Sequence, residues 1–97
     1  MIQSFSDQGT EDIYNGFNTK LARKTIDPLL HAVAWRKLDM LDAAKDLNDL
    51  KIPPANRLEA LKGDLKGKFS IRINDQYRVI FSWGVLGPEG VKITDYH

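Results

Sequence analysis

Between Phe69 and Trp83 the chain alternates in steps of two, and this constrains its fold more than any other feature. Phe69, Ile71 and Ile73 are separated by Ser70 and Arg72; Tyr77, Val79, Phe81 and Trp83 are separated by Arg78, Ile80 and Ser82. A period of two marks strands that bury one face. Asn74-Asp75-Gln76 lies between the two runs. If these residues form a three-residue hairpin loop, Ile73 faces Tyr77, Ile71 faces Val79, and the large apolar side chains share one face. A loop of two or four residues would turn half of them to the wrong side. The same register sets Arg72 directly across from Arg78 on the opposite face. Like charges in that position are destabilising, so a carboxylate or a phosphate belongs between them. The alternative is that one guanidinium pairs with Glu59, Asp64 or Asp95.

Upstream the period is helical. Asp27-Pro28 is a strong helix start, with Asp at the cap and Pro at the first helical position. Leu30, Ala34, Leu38 and Leu41 follow at helical spacing, widened by Val33 and Leu47, and the helix is expected to run to about Ala44. A shorter turn over Asp46 to Leu50 follows, and Pro53-Pro54 ends helical structure. Nearer the start, Ile2 to Phe5 reads as a short strand. Thr10 to about Phe17 reads as a short helix, capped by Thr10 with Glu11 and Asp12 in its first turn. Asn18 to Thr25 reads as basic and irregular. Beyond the prolines, Arg57 to Leu61 is a candidate strand, with turns at Gly63-Asp64 and Gly67. Gly84, Gly87, Pro88 and Gly90 make a further turn before a last strand beginning at Val91 and Ile93. The expected class is α+β, with helices on one face of an antiparallel meander.

At 97 residues the chain is expected to be one domain, residues 1–97, since there is no repeat, low-complexity tract or long linker. No apolar run approaches the roughly 18 residues that cross a bilayer. Met1-Ile2-Gln3-Ser4-Phe5 lacks the basic start and apolar stretch of a signal peptide. The absence of cysteine removes disulfides, thiolate nucleophiles and cysteine-based zinc sites, and fits the cytoplasm. Charge is unevenly distributed. Residues 1–50 hold six Lys/Arg against eight Asp/Glu, and residues 51–97 hold eight against five. Within 51–82, Lys51, Arg57, Lys62, Lys66, Lys68, Arg72 and Arg78 face only Glu59, Asp64 and Asp75. Such a field attracts polyanions; the competing reading is scattered charge on a solvated surface.

The chain ends in Thr94-Asp95-Tyr96-His97, bringing a carboxylate, a phenol and an imidazole together. An arbitrary terminus frays, but this one continues the apolar strand of Val91 and Ile93 and is expected to be held on the sheet. The terminal carboxylate beside His97 favours the imidazolium, which suits a general acid. Simple alternation puts Asp95 and His97 on the Val91/Ile93 side, away from the arginines, so convergence requires the tail to bend or twist. Other signals are weak. His31 and His97 are the only histidines, Trp35 and Trp83 fit a core, and no phosphate loop, dinucleotide fingerprint, HExxH or EF-hand spacing is present. No metal or cofactor is indicated.

Three stretches together resemble the HigB branch of the RelE/ParE toxin superfamily: Asn56 to Asp64, Phe69 to Phe81, and Asp95-Tyr96-His97. Arg36 to Ala44 and Ile2 to Phe5 are similar too, so the resemblance spans nearly the whole chain. It implies a RelE-like small domain, with an N-terminal strand and two helices packed on a mainly antiparallel sheet. It also implies a bacterial type II toxin, neutralised by a HigA-like helix-turn-helix antitoxin. The implied activity is ribosome-dependent cleavage of mRNA by metal-free 2′-hydroxyl attack. By this resemblance Arg78 stabilises the phosphate, Lys62 is the basic residue after the leucine, and Asp95, Tyr96 and His97 form the terminal catalytic cluster. Arg57, Lys66, Lys68 and Arg72 would contact RNA. Where some relatives carry a histidine two residues after the position of Arg57, this chain has Glu59. Glu59 either replaces that histidine as base or pairs with Lys62 or Arg57. The competing function is a non-catalytic inhibitor that binds the ribosome or, like ParE toxins, DNA gyrase.

Overall fold

A computed structural model of the chain describes residues 1–95; Tyr96 and His97 lie outside the described residues. Three helices, α1 (Gln8–Tyr14), α2 (Lys20–Thr25) and α3 (His31–Ala43), precede four strands. The strands β1 (Glu59–Ala60), β2 (Lys68–Arg72), β3 (Tyr77–Gly84) and β4 (Gly87–Asp95) form one antiparallel sheet in sequential order. The α+β architecture is the expected one, and so is the hairpin register: Ile71 pairs with Val79 and Arg72 with Arg78. Asn74 secures the loop, its carboxamide oxygen accepting the N–H groups of Gln76 (2.9 Å) and Tyr77 (2.7 Å).

The core forms between the sheet and the helices. Ala34, Leu38 and Leu41 of α3 are fully buried in one cluster with Ile71, Val79, Phe81 and Val91. These are the apolar positions of the helical and the strand patterns, so each element contributes the face its periodicity dictates. The other sheet face, with Ser70, Arg72, Arg78 and Thr94, is therefore left uncovered by helices.

Several local expectations are corrected. Asp7 caps α1, its carboxylate accepting the Thr10 N–H at 2.7 Å. Thr10 is instead buried, and its hydroxyl accepts the Ile93 N–H at 3.0 Å, tying α1 to β4. The basic segment before Thr25 is helical. Thr19 caps α2, and Ala22 and Ile26 bury against the core. Gly9 makes that packing possible: a β-carbon there would stand 2.8 Å from the Leu21 carbonyl and would collide with Thr25 Oγ1. The Asp27-Pro28 start opens a 3-10 turn (Pro28–Leu30) before α3 proper.

The N-terminal strand reduces to one parallel bridge, Phe5 to Val91. It cannot extend into a full ladder, because Pro88 has no N–H and the Gly90 N–H goes to Ser4 Oγ at 2.9 Å. The candidate strand over Arg57 to Leu61 is only Glu59–Ala60, since Arg57 takes a left-handed conformation with φ 46°. The last strand starts at Gly87 rather than Val91, so the reversal falls on Val85 and Leu86, and a bulge between Ile80 and Ser82 absorbs the extra residue.

Candidate functional site on the open sheet face

Arg78 is the centre of the uncovered face. On β3 it lies between Arg72 on β2 and Thr94 on β4, and it is only 9% exposed. A buried guanidinium needs acceptors to offset its lost hydration. Its Nε donates to Ser70 Oγ at 2.8 Å and its Nη2 to the Arg57 carbonyl at 2.9 Å. The same Nη2 lies 3.3 Å from Glu59 Oε2, a carboxylate on β1 that is half exposed.

The Arg57 carbonyl reaches Arg78 because of the loop that carries it. A 3-10 turn (Pro54–Asn56) ends at Arg57 in its left-handed conformation. Beneath it, fully buried Asn56 accepts a hydrogen bond from Lys37 Nζ at 2.6 Å and donates to the Leu50 carbonyl at 3.2 Å. Burial, and then the neighbouring charges of Arg36 and Arg72, hold the Lys37 ammonium below its usual pKa. The Arg57 carbonyl thus has a rigid base.

The facing arginines are neutralised separately. Arg72 meets Asp75 of its own hairpin loop, and Arg78 meets Glu59. Among the acids that the sequence offered to the arginines, Glu59 pairs with Arg78. The sequence left Glu59 either as a base in place of a family histidine or as a partner of Lys62 or Arg57; its carboxylate lies against Arg78. Lys62 is exposed and lines, with Glu59, Ala60, Leu61 and Leu65, a cleft of about 300 Å³ beside the ion pair. Arg57 and Lys66 are exposed, and Lys68 is half-buried opposite Ser82. Asp95 stands opposite Tyr77, on the side that alternation indicates, and accepts from Gln76 Nε2 at 3.0 Å. Tyr96 and His97, the rest of the expected terminal cluster, lie outside the described residues. Ser70 and Asn56 were not foreseen. Ser70 was available from the register, being on the Arg78 face one pair away; Asn56 had no sequence signal.

A family model and a curated relative point to one family. Residues 3–97 match the family of RelE-like toxins of the type II toxin-antitoxin system HigB. The chain is 41% identical over 96 residues to Toxin HigB-1 of Vibrio cholerae serotype O1, covering 99% of this chain and 94% of that one. The chain belongs to the HigB-like toxins. A structural likeness extends further: the YoeB–YefM complex from Staphylococcus aureus superposes with a TM-score of 0.58 at 17% identity, over 100% of this chain and 98% of that one. The YoeB/ParE toxin from Agrobacterium tumefaciens gives 0.54 at 20% identity, over 98% and 99%. At these identities the likeness is one of fold. As a RelE-like toxin of a type II system, this HigB-like chain presents a sheet face carrying one nearly buried, multiply held arginine. Among its described residues no helix is long and apolar enough to cross a membrane.

Proposed function

We propose that this HigB-like toxin is a ribosome-dependent endoribonuclease acting on mRNA in the cytoplasm, and that a HigA-like helix-turn-helix antitoxin neutralises it. The observation that carries the reading is the Glu59–Arg78 pair: a fixed cation and a half-exposed carboxylate within 3.3 Å, on an uncovered basic sheet face. RNA supplies its own nucleophile, so cleavage needs a base, a cation for the phosphate and an acid. Glu59 takes the proton of a 2′-hydroxyl, and the 2′-oxygen bonds to the adjacent phosphorus. Arg78 stabilises the negative charge that develops on the phosphate oxygens, assisted by Lys62. The P–O5′ bond breaks, and the departing oxygen takes a proton from His97. The products are a cyclic phosphate and a 5′-hydroxyl. Tyr96 stacks on or orients a base, and Asp95 orients the terminal cluster. Arg57, Lys66, Lys68 and Arg72 attract and align the strand through its phosphates.

The support for Glu59 as base is its position: it is a carboxylate beside Arg78, and half exposed, so it can reach a substrate hydroxyl. Primer extension on translated mRNA tests the reading. Wild type is expected to produce discrete cuts that vanish in Arg78→Ala and in a chain lacking His97. Unchanged cutting by both variants would remove the assignment. Growth arrest without cuts, accompanied by inhibition of DNA supercoiling, would point instead to a gyrase inhibitor.

A further inference from the structure

Next to Arg78 the open face carries a second feature with no role in the chemistry above. Ile80 follows Arg78 by two residues on β3, so its side chain emerges on the same face about 7 Å along the strand. It pairs with Ser70 on one side and Lys92 on the other. Ile80 is the one break in the apolar/polar alternation of β3, a large aliphatic residue on the face that helices do not cover. It is nevertheless only 7% exposed. Together with Leu65 and Thr94 it lines a cleft of about 210 Å³, to which Lys68 and Lys92 also belong. Among the described residues no carboxylate side chain lines this cleft. Of the two acids on β4, Glu89 packs its carboxyl over Gly84 and Asp95, opposite Tyr77, accepts from Gln76 Nε2; Glu59 is engaged by Arg78.

An apolar floor between two lysines, with no carboxylate side chain of the described residues lining it, fits a flat apolar group joined to anions. A single-stranded nucleic acid has that chemistry: bases bury on apolar surface while phosphates meet cations. The volume is below that of drug-sized pockets and suits one base. The cleft adjoins Arg78 through Thr94, its partner on β4, and Ile80, two residues along β3, which places that base beside the scissile phosphate. We propose that this cleft is a nucleotide subsite, taking the base of the nucleotide that adjoins the scissile phosphate against Ile80 and Leu65, with Lys68 and Lys92 on the flanking phosphates. The inference rests on the RNA-cleavage reading and adds to it a binding site that determines which nucleotides are held best.

The test uses ribosomes programmed with a short mRNA in three forms: intact, abasic on the 5′ side of the cut, and abasic on the 3′ side. Wild type should cleave one abasic form about five- to a hundred-fold more slowly than the intact one, the range expected for losing one base contact. Leu65→Ala, at an exposed turn position, should slow cleavage of the intact mRNA and be indifferent to that same abasic substitution. Lys92→Ala should raise the half-saturating toxin concentration with less effect on the maximal rate. If Leu65→Ala and Lys92→Ala match wild type on all three mRNAs while Arg78→Ala is inactive, the subsite is refuted and the cleavage reading stands. If Lys92→Ala changes only neutralisation by the antitoxin, the cleft belongs to a protein interface and the proposal fails. If wild type cuts none of the three, the endoribonuclease reading itself falls.

Discussion

Replacing Ser70 by alanine tests whether Arg78 is held by hydrogen bonds or by its ion pair. The two contributions differ in size. Glu59 is 50% exposed, so its attraction for Arg78 is screened and worth about 0–1 kcal/mol. Ser70 is fully buried and accepts from the Arg78 Nε at 2.8 Å. Removing the acceptor of a buried charged donor costs about 1.5–3 kcal/mol, and losing one oxygen leaves little cavity. Ser70→Ala should therefore destabilise more than Glu59→Gln. Urea denaturation measures both, and in a domain of this size each kcal/mol corresponds to about 4–8 °C in Tm. A double-mutant cycle with Arg78→Leu isolates the interaction: in that background Ser70→Ala should be nearly neutral, giving a coupling of about 1.5–3 kcal/mol. Cleavage should rank the variants in the opposite order, with Glu59→Gln losing nearly all activity and Ser70→Ala only part of it. Additivity of the two substitutions within about 0.3 kcal/mol would refute the reasoning. So would a Glu59→Gln protein less stable than Ser70→Ala.

Gly9→Ala should destabilise by about 1–3 kcal/mol in thermal melts, because the new methyl meets the Leu21 carbonyl as well as a movable side chain; an unchanged Tm would mean that α2 shifts freely. Hydrogen bonds from Thr19, and then Gln8, lower the Asp12 pKa from its ordinary value. A carboxyl depressed in the folded state adds stability above its unfolded pKa, which is lost as pH falls through the folded value. Thr19→Val should thus be less stable than wild type at pH 7, with the gap closing in acid; a gap that is constant down to pH 2 would rule out this linkage. A bulky C-terminal tag should reduce toxicity more than an N-terminal tag at matched expression, and equal toxicity would count against a catalytic tail.

Periodicity made the fold legible because burial enforces it. A slip of one residue in the Phe69–Trp83 hairpin would turn every apolar side chain outward, so only one register is affordable, and it fixes Arg72 opposite Arg78. The same reasoning fails where a few polar contacts decide the structure. The segment around α2 has too few apolar positions to show a stripe; its helicity depends on the Thr19 cap and on the space left by Gly9. Whether Asp7 or Thr10 caps α1 depends on the distant β4, whose Ile93 N–H claims the Thr10 hydroxyl. The candidate site divides along the same line. Arg78 and its neighbours on the sheet follow from alternation, whereas its clamp draws on Arg57, whose left-handed backbone is set by a loop that packs on Asn56 and Lys37. Ile80 is the instructive case. Read as one more strand residue it fits any β-sheet, and only the register shows that it faces away from the core cluster, beside Arg78. Ile80 is already only 7% exposed, so what its cleft offers is a small apolar floor, and the lysines beside it favour an anion-bearing ligand over another apolar helix as the occupant.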